Sequence, residues 1–165
     1  MGEPDFLIHF GSEAELTDFA GKAGRRLVAA KRWPLLIGLR GDLGAGKTTF
    51  VRALLRGLGY QARVPSPTYT LLEHYAVDGL AVVHLDLYRL ASEGELENLG
   101  LRDWLEAPAT WVFIEWPERA PELARRCDLL FLLEETSPGS RRLTMRAGTP
   151  AGIEALRDSR DERLN

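Results

Sequence analysis

Gly41, Gly46, Lys47 and Thr48 stand at the spacing G-x-x-x-x-G-K-[ST] within the stretch GDLGAGKTTF. Residue types in this pattern bind a phosphate chain. Glycines let a loop curl until successive backbone N–H groups point inward at phosphate oxygens. A helix that begins at Lys47 adds the positive end of its dipole. The Lys47 ammonium then reaches the β- and γ-phosphates and the Thr48 hydroxyl is placed for Mg2+. Thr49 offers a further phosphate donor. Gly41, Asp42, Leu43, Gly44, Ala45 and Gly46 form the candidate cradle.

Mg2+ calls for an acid at the end of a strand close to that loop. Asp86 ends the apolar run 81–85, and Glu115 ends the run 111–114. One would serve the metal, directly or through water, and the other would orient the attacking water; spacing alone does not divide the roles. Thr68 lies in the proline-stiffened loop VPSPTY (64–69). A threonine of this kind senses Mg2+ and the γ-phosphate in switch loops; a purely structural loop is the competing reading. Trp116 follows Glu115 directly. Its indole either stacks on a nucleobase or belongs to the core. Pro117 biases it toward an extended or turn conformation, from which the ring can swing toward the base. Trp33, Trp104 and Trp111 read as core.

These residues need a scaffold, and the hydropathy pattern supplies one. FLIHF (6–10) reads as a short strand. Ser12 with Glu15 forms a capping box, and Leu16, Phe19, Ala20, Ala23, Leu27 and Val28 give the following helix an apolar stripe. That helix ends near Lys31 and Arg32, before Pro34. LLIGLRG (35–41) is a buried strand of a parallel sheet that runs straight into the glycine-rich turn. A helix over 47–58 follows, with Gly59 as its stop. The phosphate-loop pattern therefore has the strand–loop–helix context its mechanism demands. Asp78-Gly79 between two strand-like runs predicts a hairpin. If Val77 pairs with Leu80, Glu73 faces His84 and Leu71 faces Asp86, which brings the Thr68 loop close to Asp86. Residues 92–107 read as one or two short helices broken at Gly100, and TWVFIEW (110–116) as another buried strand. Pro117 and Pro121 mark a loop. DLLFLLEE and RRLTMRA are two strands joined through 136–140. Thr149-Pro150 opens a last helix, and a charged tail from about 157 is expected to fray. The fold class is α/β: a P-loop NTPase with a central, largely parallel sheet, flanking antiparallel strands and helices on both faces. The 165 residues read as one domain.

Composition narrows the function further. The chain is 45% hydrophobic and 27% charged, with a formal net charge of −3. It has no global basic signature for nucleic acid, so any RNA contact comes from a local patch or through a partner. The single cysteine, Cys127, excludes an internal disulfide and precedes an apolar run, as a buried, inert thiol would. No apolar run approaches the roughly 20 residues of a membrane span. The N-terminus lacks the basic start and apolar core of a leader. Met1-Gly2 opens like a myristoylation signal, but Phe6 fills the position that takes Ser or Thr. A cytoplasmic protein with no membrane association is expected. The N/T-K-x-D guanine-reading tetrapeptide is absent from the sequence, which favours ATP over GTP. A stand-alone small-molecule kinase is the alternative. The pairs Arg125-Arg126 and Arg141-Arg142 flank strands and read as solvated edge charges rather than a kinase lid. A regulator that binds ATP without hydrolysing it is disfavoured by the presence of both acids.

The ordered series GDLGAGKTTF, PSPTYTLLEHY, HLDLYRL, ENLGLRDWL and IEWPER resembles the TsaE family, bacterial P-loop ATPases needed for the threonylcarbamoyladenosine modification of tRNA. The resemblance runs from about Phe6 to the strands near Arg146. It implies weak, Mg2+-dependent ATP hydrolysis, with TsaB and TsaD as partners. TsaD is the subunit that transfers the threonylcarbamoyl group to adenosine 37 of tRNAs reading ANN codons, so tRNA is met only through the complex. Carried over motif by motif, residues 41–49 bind the phosphates, Thr48 and Glu115 bind Mg2+, and Lys47 and Asp86 serve hydrolysis. Thr68 belongs to a switch-like loop, Trp116 lies near the nucleotide, and Ser12 and Glu13 touch the adenine side.

Overall fold

The computed structural model describes residues 5–160; the Met1-Gly2 pair and the last residues of the charged tail lie outside them. Seven strands form one sheet in the order β1-β7-β6-β2-β5-β4-β3. The strands are β1 (Phe6–Phe10), β2 (Leu35–Arg40), β3 (Leu72–Val77), β4 (Leu80–Asp86), β5 (Thr110–Glu115), β6 (Leu129–Ser137) and β7 (Ser140–Ala147). β6, β2, β5 and β4 run parallel at the centre. β7 with β1 on one side, and β3 on the other, add antiparallel edges. This is the expected α/β architecture.

The helices are α1 (Glu13–Ala29), α2 (Lys47–Gly57), α3 (Glu95–Asn98), α4 (Leu101–Glu106), α5 (Pro121–Ala124) and α6 (Pro150–Ser159). The central strands are predominantly apolar because both faces are covered. Successive side chains alternate between the faces. Leu35, Ile37, Leu39 and Phe113 enter one core with Leu16 and Phe19 of α1, Phe50 and Leu54 of α2 and Leu156 of α6. Leu36, Val112 and Ile114 enter the other, with Leu96 of α3, Leu101 of α4 and Leu123 of α5. Trp111 is fully buried, while Trp33 and Trp104 pack at the margins of the two cores.

The hairpin register is the expected one: Val77 pairs with Leu80 and Glu73 with His84, and the Asp86 N–H donates to the Leu71 carbonyl at 3.0 Å. Gly100, at φ 69°, separates α3 from α4. Differences concern element ends. α1 stops at Ala29, with Lys31 already left-handed at φ 55°. β3 starts at Leu72 because Leu71 is left-handed at φ 64°. The segment read as a loop after Trp116 holds a 3-10 turn, Pro117–Arg119, and then α5, each with proline in its first turn, where the missing N–H is no loss. β6 and β7 continue to a tight turn at Pro138-Gly139. α6 carries the chain through Ser159. No helix among the described residues is long and apolar enough to cross a membrane. Cys127 is a buried free thiol, its pKa pushed up to about 11, chiefly by burial and then by Asp128.

Candidate functional site

β2 delivers the chain into the loop over residues 41–46, and α2 leaves it. Gly41 sits at φ 147°, and a Cβ there would lie 2.4 Å from the Leu133 carbonyl oxygen, so only glycine lets the loop turn against β6. Gly46 is the N-cap of α2 at φ 111° with no side-chain cap bond, and no acid occupies the first turn. The first N–H groups of α2 have no partner within their own helix and are aimed, with the helix dipole, at the pocket beyond. That pocket has a volume of about 190 Å3, and Gly44, Gly46, Lys47, Thr48, Thr49, Thr68, Asp86, Glu115 and Trp116 all contribute to its walls.

Lys47 is 5% exposed. Its ammonium donates to the carbonyls of Gly41 at 2.5 Å and Asp42 at 2.9 Å and lies 4.4 Å from the centroid of the Trp116 ring. Burial pushes its pKa below the ordinary lysine value, and the carboxylates of Glu115, Asp86, Glu118 and Asp42 pull it back up. A phosphate chain in the loop offers this ammonium stronger, charged acceptors than the two carbonyls.

The two acids are register partners on adjacent parallel strands, Asp86 on β4 opposite Glu115 on β5. Both point to the face covered by α2, as alternation from Phe113 requires. They are 4% and 3% exposed. Glu115 Oε1 accepts the Thr48 hydroxyl at 2.6 Å. Asp86 Oδ2 accepts the Thr68 hydroxyl at 2.9 Å, and its Oδ1 accepts the Tyr88 N–H at 2.9 Å. The hairpin thus carries Thr68 to Asp86 as its register predicts. The donor set suits Mg2+: a hydroxyl and two carboxylates, all hard oxygens. No group of three or more His, Cys, Asp or Glu among the described residues could hold a metal by itself. Magnesium characteristically takes one or two carboxylates and completes its shell with phosphate oxygens and water.

The remaining candidates divide. Glu13 lines the pocket, whereas the Ser12 hydroxyl caps α1 by accepting the Glu15 N–H at 3.3 Å. Asp42, Leu43 and Ala45 line a second cavity of about 640 Å3 between the loop and the turn of the β6–β7 hairpin. Leu43 is 68% exposed. Trp116 is left-handed, at φ 59° and ψ 51°, so of the extended and turn conformations expected before Pro117 it takes the turn. Its N–H is held by the Leu39 carbonyl at 3.2 Å. The turn takes the ring out of strand alternation and sets it against Lys47 and, at 5.1 Å between centroids, Tyr88. The ring therefore stands beside the Lys47 ammonium.

Two residues outside the sequence prediction belong to this site. Arg141 is not a solvated edge charge: its side chain is 12% exposed and pairs with Glu135 at 3.1 Å. Its guanidinium donates to the Ala45 carbonyl at 3.0 Å and the Gly44 carbonyl at 3.3 Å, holding the loop by its outward oxygens. His84 is fully buried and 2.7 Å from Glu115 Oε1.

The family model described as threonylcarbamoyl adenosine biosynthesis protein TsaE matches residues 11–143. The tRNA threonylcarbamoyladenosine biosynthesis protein TsaE of Haemophilus influenzae is 46% identical over 96 residues, 58% of this chain and 60% of that protein. The protein of the same name from Synechocystis is 42% identical over 99 residues, 57% of this chain and 62% of its own length. That from Bacillus subtilis is 35% identical over 127 residues, 76% of this chain and 78% of its own length. The first two matches thus span somewhat under two thirds of those relatives. The crystal structure of YdiB from Bacillus subtilis superimposes with a TM-score of 0.73 over 94% of both chains at 21% identity, a likeness of fold.

Proposed function

The chain belongs to the TsaE family, and from that premise we propose that it is the Mg2+-dependent ATPase of tRNA threonylcarbamoyladenosine formation. In this reading residues 1–165 are a single P-loop domain. It works in the cytoplasm with TsaB and TsaD, on the modification of adenosine 37 in tRNAs reading ANN codons, and is not the transferase. The observation that carries the reading is convergence: Lys47, Thr48 with Glu115, and Thr68 with Asp86 meet in one pocket at the uncapped start of α2. The loop N–H groups and Lys47 hold the β- and γ-phosphates. Thr48 and Glu115 would hold Mg2+, which would supply positive charge against the phosphates. Asp86 orients the attacking water, and Thr68 ties the switch-like loop to that acid. Trp116 shields Lys47 from solvent. The cavity between the loop and the β6–β7 turn has room for the nucleoside.

The test is ATP turnover by the pure protein, alone and with TsaB and TsaD. Slow, Mg2+-dependent hydrolysis that rises when both partners are added is expected. Rapid turnover driven by a small-molecule acceptor, with no partner present, would replace this reading with that of a kinase.

A further inference from the structure

We propose that His84 is the positioning residue of the Glu115 carboxylate, fixing the oxygen that receives the Thr48 hydroxyl. The proposal deepens the reading above and rests on it. His84 lies on β4 opposite Phe113 of β5, and Asp86 lies opposite Glu115. Alternation puts all four on the same face of the sheet. The imidazole therefore sits one pleat deeper than the two acids, and its Nε2 reaches diagonally to Glu115 Oε1 at 2.7 Å.

The imidazole makes one hydrogen bond, through Nε2 to Glu115 Oε1. Nδ1 is buried and has no partner among the described residues. A buried polar atom without a partner destabilises a fold, and a leucine at this position would leave none. Packing therefore does not account for an imidazole at 84, whereas the bond to Glu115 does.

Glu115 needs that bond because of its neighbour. Asp86 is its register partner, and two carboxylates at strand spacing repel each other. Asp86 is held by the Thr68 hydroxyl and the Tyr88 N–H. Glu115 is held by the Thr48 hydroxyl and by His84. Thr48 belongs to the phosphate-binding helix start, and its hydroxyl is shared with the metal function. His84 belongs to the rigid sheet. It is the anchor that keeps Oε1 in place while the Thr48 oxygen serves the metal. Partners behind a metal-binding carboxylate typically change metal affinity by about ten- to a hundredfold.

The experiment compares His84→Leu and His84→Gln. Leucine fills the space with no donor; the glutamine amide nitrogen reaches where imidazole Nε2 stands. A fluorescent ATP analogue is titrated in EDTA and across a Mg2+ series, with thermal melts to confirm folding. The melts set a temperature at which each variant is folded, and the EDTA titration gives the metal-free affinity against which its Mg2+ series is read. His84→Leu should need about ten times more Mg2+ for half-maximal metal-dependent binding. His84→Gln should recover most of that loss. A parental Mg2+ requirement in His84→Leu, or equal defects in the two variants, overturns the positioning role. Should His84→Leu fail to fold, His84→Asn, whose shorter amide cannot reach Glu115, takes its place with the same two outcomes. If the parent chain itself shows no Mg2+-dependent binding, the ATPase reading falls and this inference with it; if it does and the variants match it, only the role of His84 falls.

Discussion

Helices α1 and α2 both begin at the wall of the same pocket, and their beginnings are finished in opposite ways. At α1 the chain completes the helix itself. Ser12 accepts the Glu15 N–H, Glu15 Oε2 accepts the Gly11 N–H at 2.8 Å, and Glu13 and Glu15 place negative charge against the dipole. At α2 the cap is Gly46, which has no side chain to offer, and the first turn reads Lys47-Thr48-Thr49 with no acid. Every helix start exposes N–H groups that need an acceptor. The first start meets that need locally and gains stability. The second leaves it to an anion, with Lys47 adding charge of the same sign. A helix start with neither a side-chain cap nor an acid in its first turn suits an anion, and on the proposed reading that is the difference between the two starts.

The largest expected effect comes from the open start. On the proposed reading Lys47→Ala removes the ammonium that reaches the β- and γ-phosphates, and it leaves the fold largely alone, since among the described residues the hydrogen bonds of this side chain go to two loop carbonyls. Turnover should fall by about a hundredfold or more, the scale on which a charged transition-state contact acts in a buried site. Steady-state ATP hydrolysis measures it. Hydrolysis at the parental rate would mean that the open start binds something other than a triphosphate.

A smaller effect is expected on the carbonyl side of the same loop. In a trans peptide the N–H points opposite to the carbonyl before it, so Arg141, which holds the Gly44 and Ala45 carbonyls, orients the peptides that carry the Ala45 and Gly46 N–H groups. Arg141→Ala should weaken ATP binding by about tenfold, corresponding to about 1–2 kcal/mol for loss of charge-assisted hydrogen bonds. Arg141→Lys should recover little of it, because a single ammonium lacks the planar fork that spans two acceptors. Equilibrium titration with ATP reads both variants. Unchanged affinity in Arg141→Ala would show that the glycines alone shape the loop.

What could be read from the sequence follows the range of the interactions. The glycine-rich loop is local, so its place between a strand and a helix was legible residue by residue. The meeting of Thr68 with Asp86 was legible as well, because an Asp-Gly turn fixes the hairpin register and counting does the rest. Arg141 was not. It stands beside Arg142 in β7, and alternation sends one to Glu134 and the other to the loop. Which is which depends on β6 lying next to β2, and strand order in a parallel sheet leaves no local mark. The link from His84 to Glu115 is hidden for the same reason: it depends on the parallel pairing of β4 with β5. For Trp116 the sequence left an extended and a turn conformation open, and the turn closing β5 decides between them. There a left-handed backbone keeps the N–H on Leu39.

The smallest expected effect tests the closed start. The family resemblance implies that Ser12 touches the adenine side of the nucleotide, whereas the structure gives its hydroxyl a capping bond. The two roles predict different losses from Ser12→Ala. A cap removed from an exposed helix start costs about 0.5–1 kcal/mol. The low end applies here, because the bond is long at 3.3 Å and the Glu15–Gly11 bond survives the substitution. In a chain of this size that is a fall of roughly 1–4 °C in Tm, with ATP affinity unchanged once unfolded protein is discounted. A nucleotide contact would do the reverse, leaving Tm in place and weakening binding. Capping is expected to account for Ser12, because Glu13 rather than Ser12 lines the pocket. A thermal melt paired with an ATP titration of the one variant decides between them. A loss of affinity without a loss of Tm would mean that the closed start, too, serves the ligand, and the contrast between α1 and α2 would shrink to the difference between one end of the nucleotide and the other.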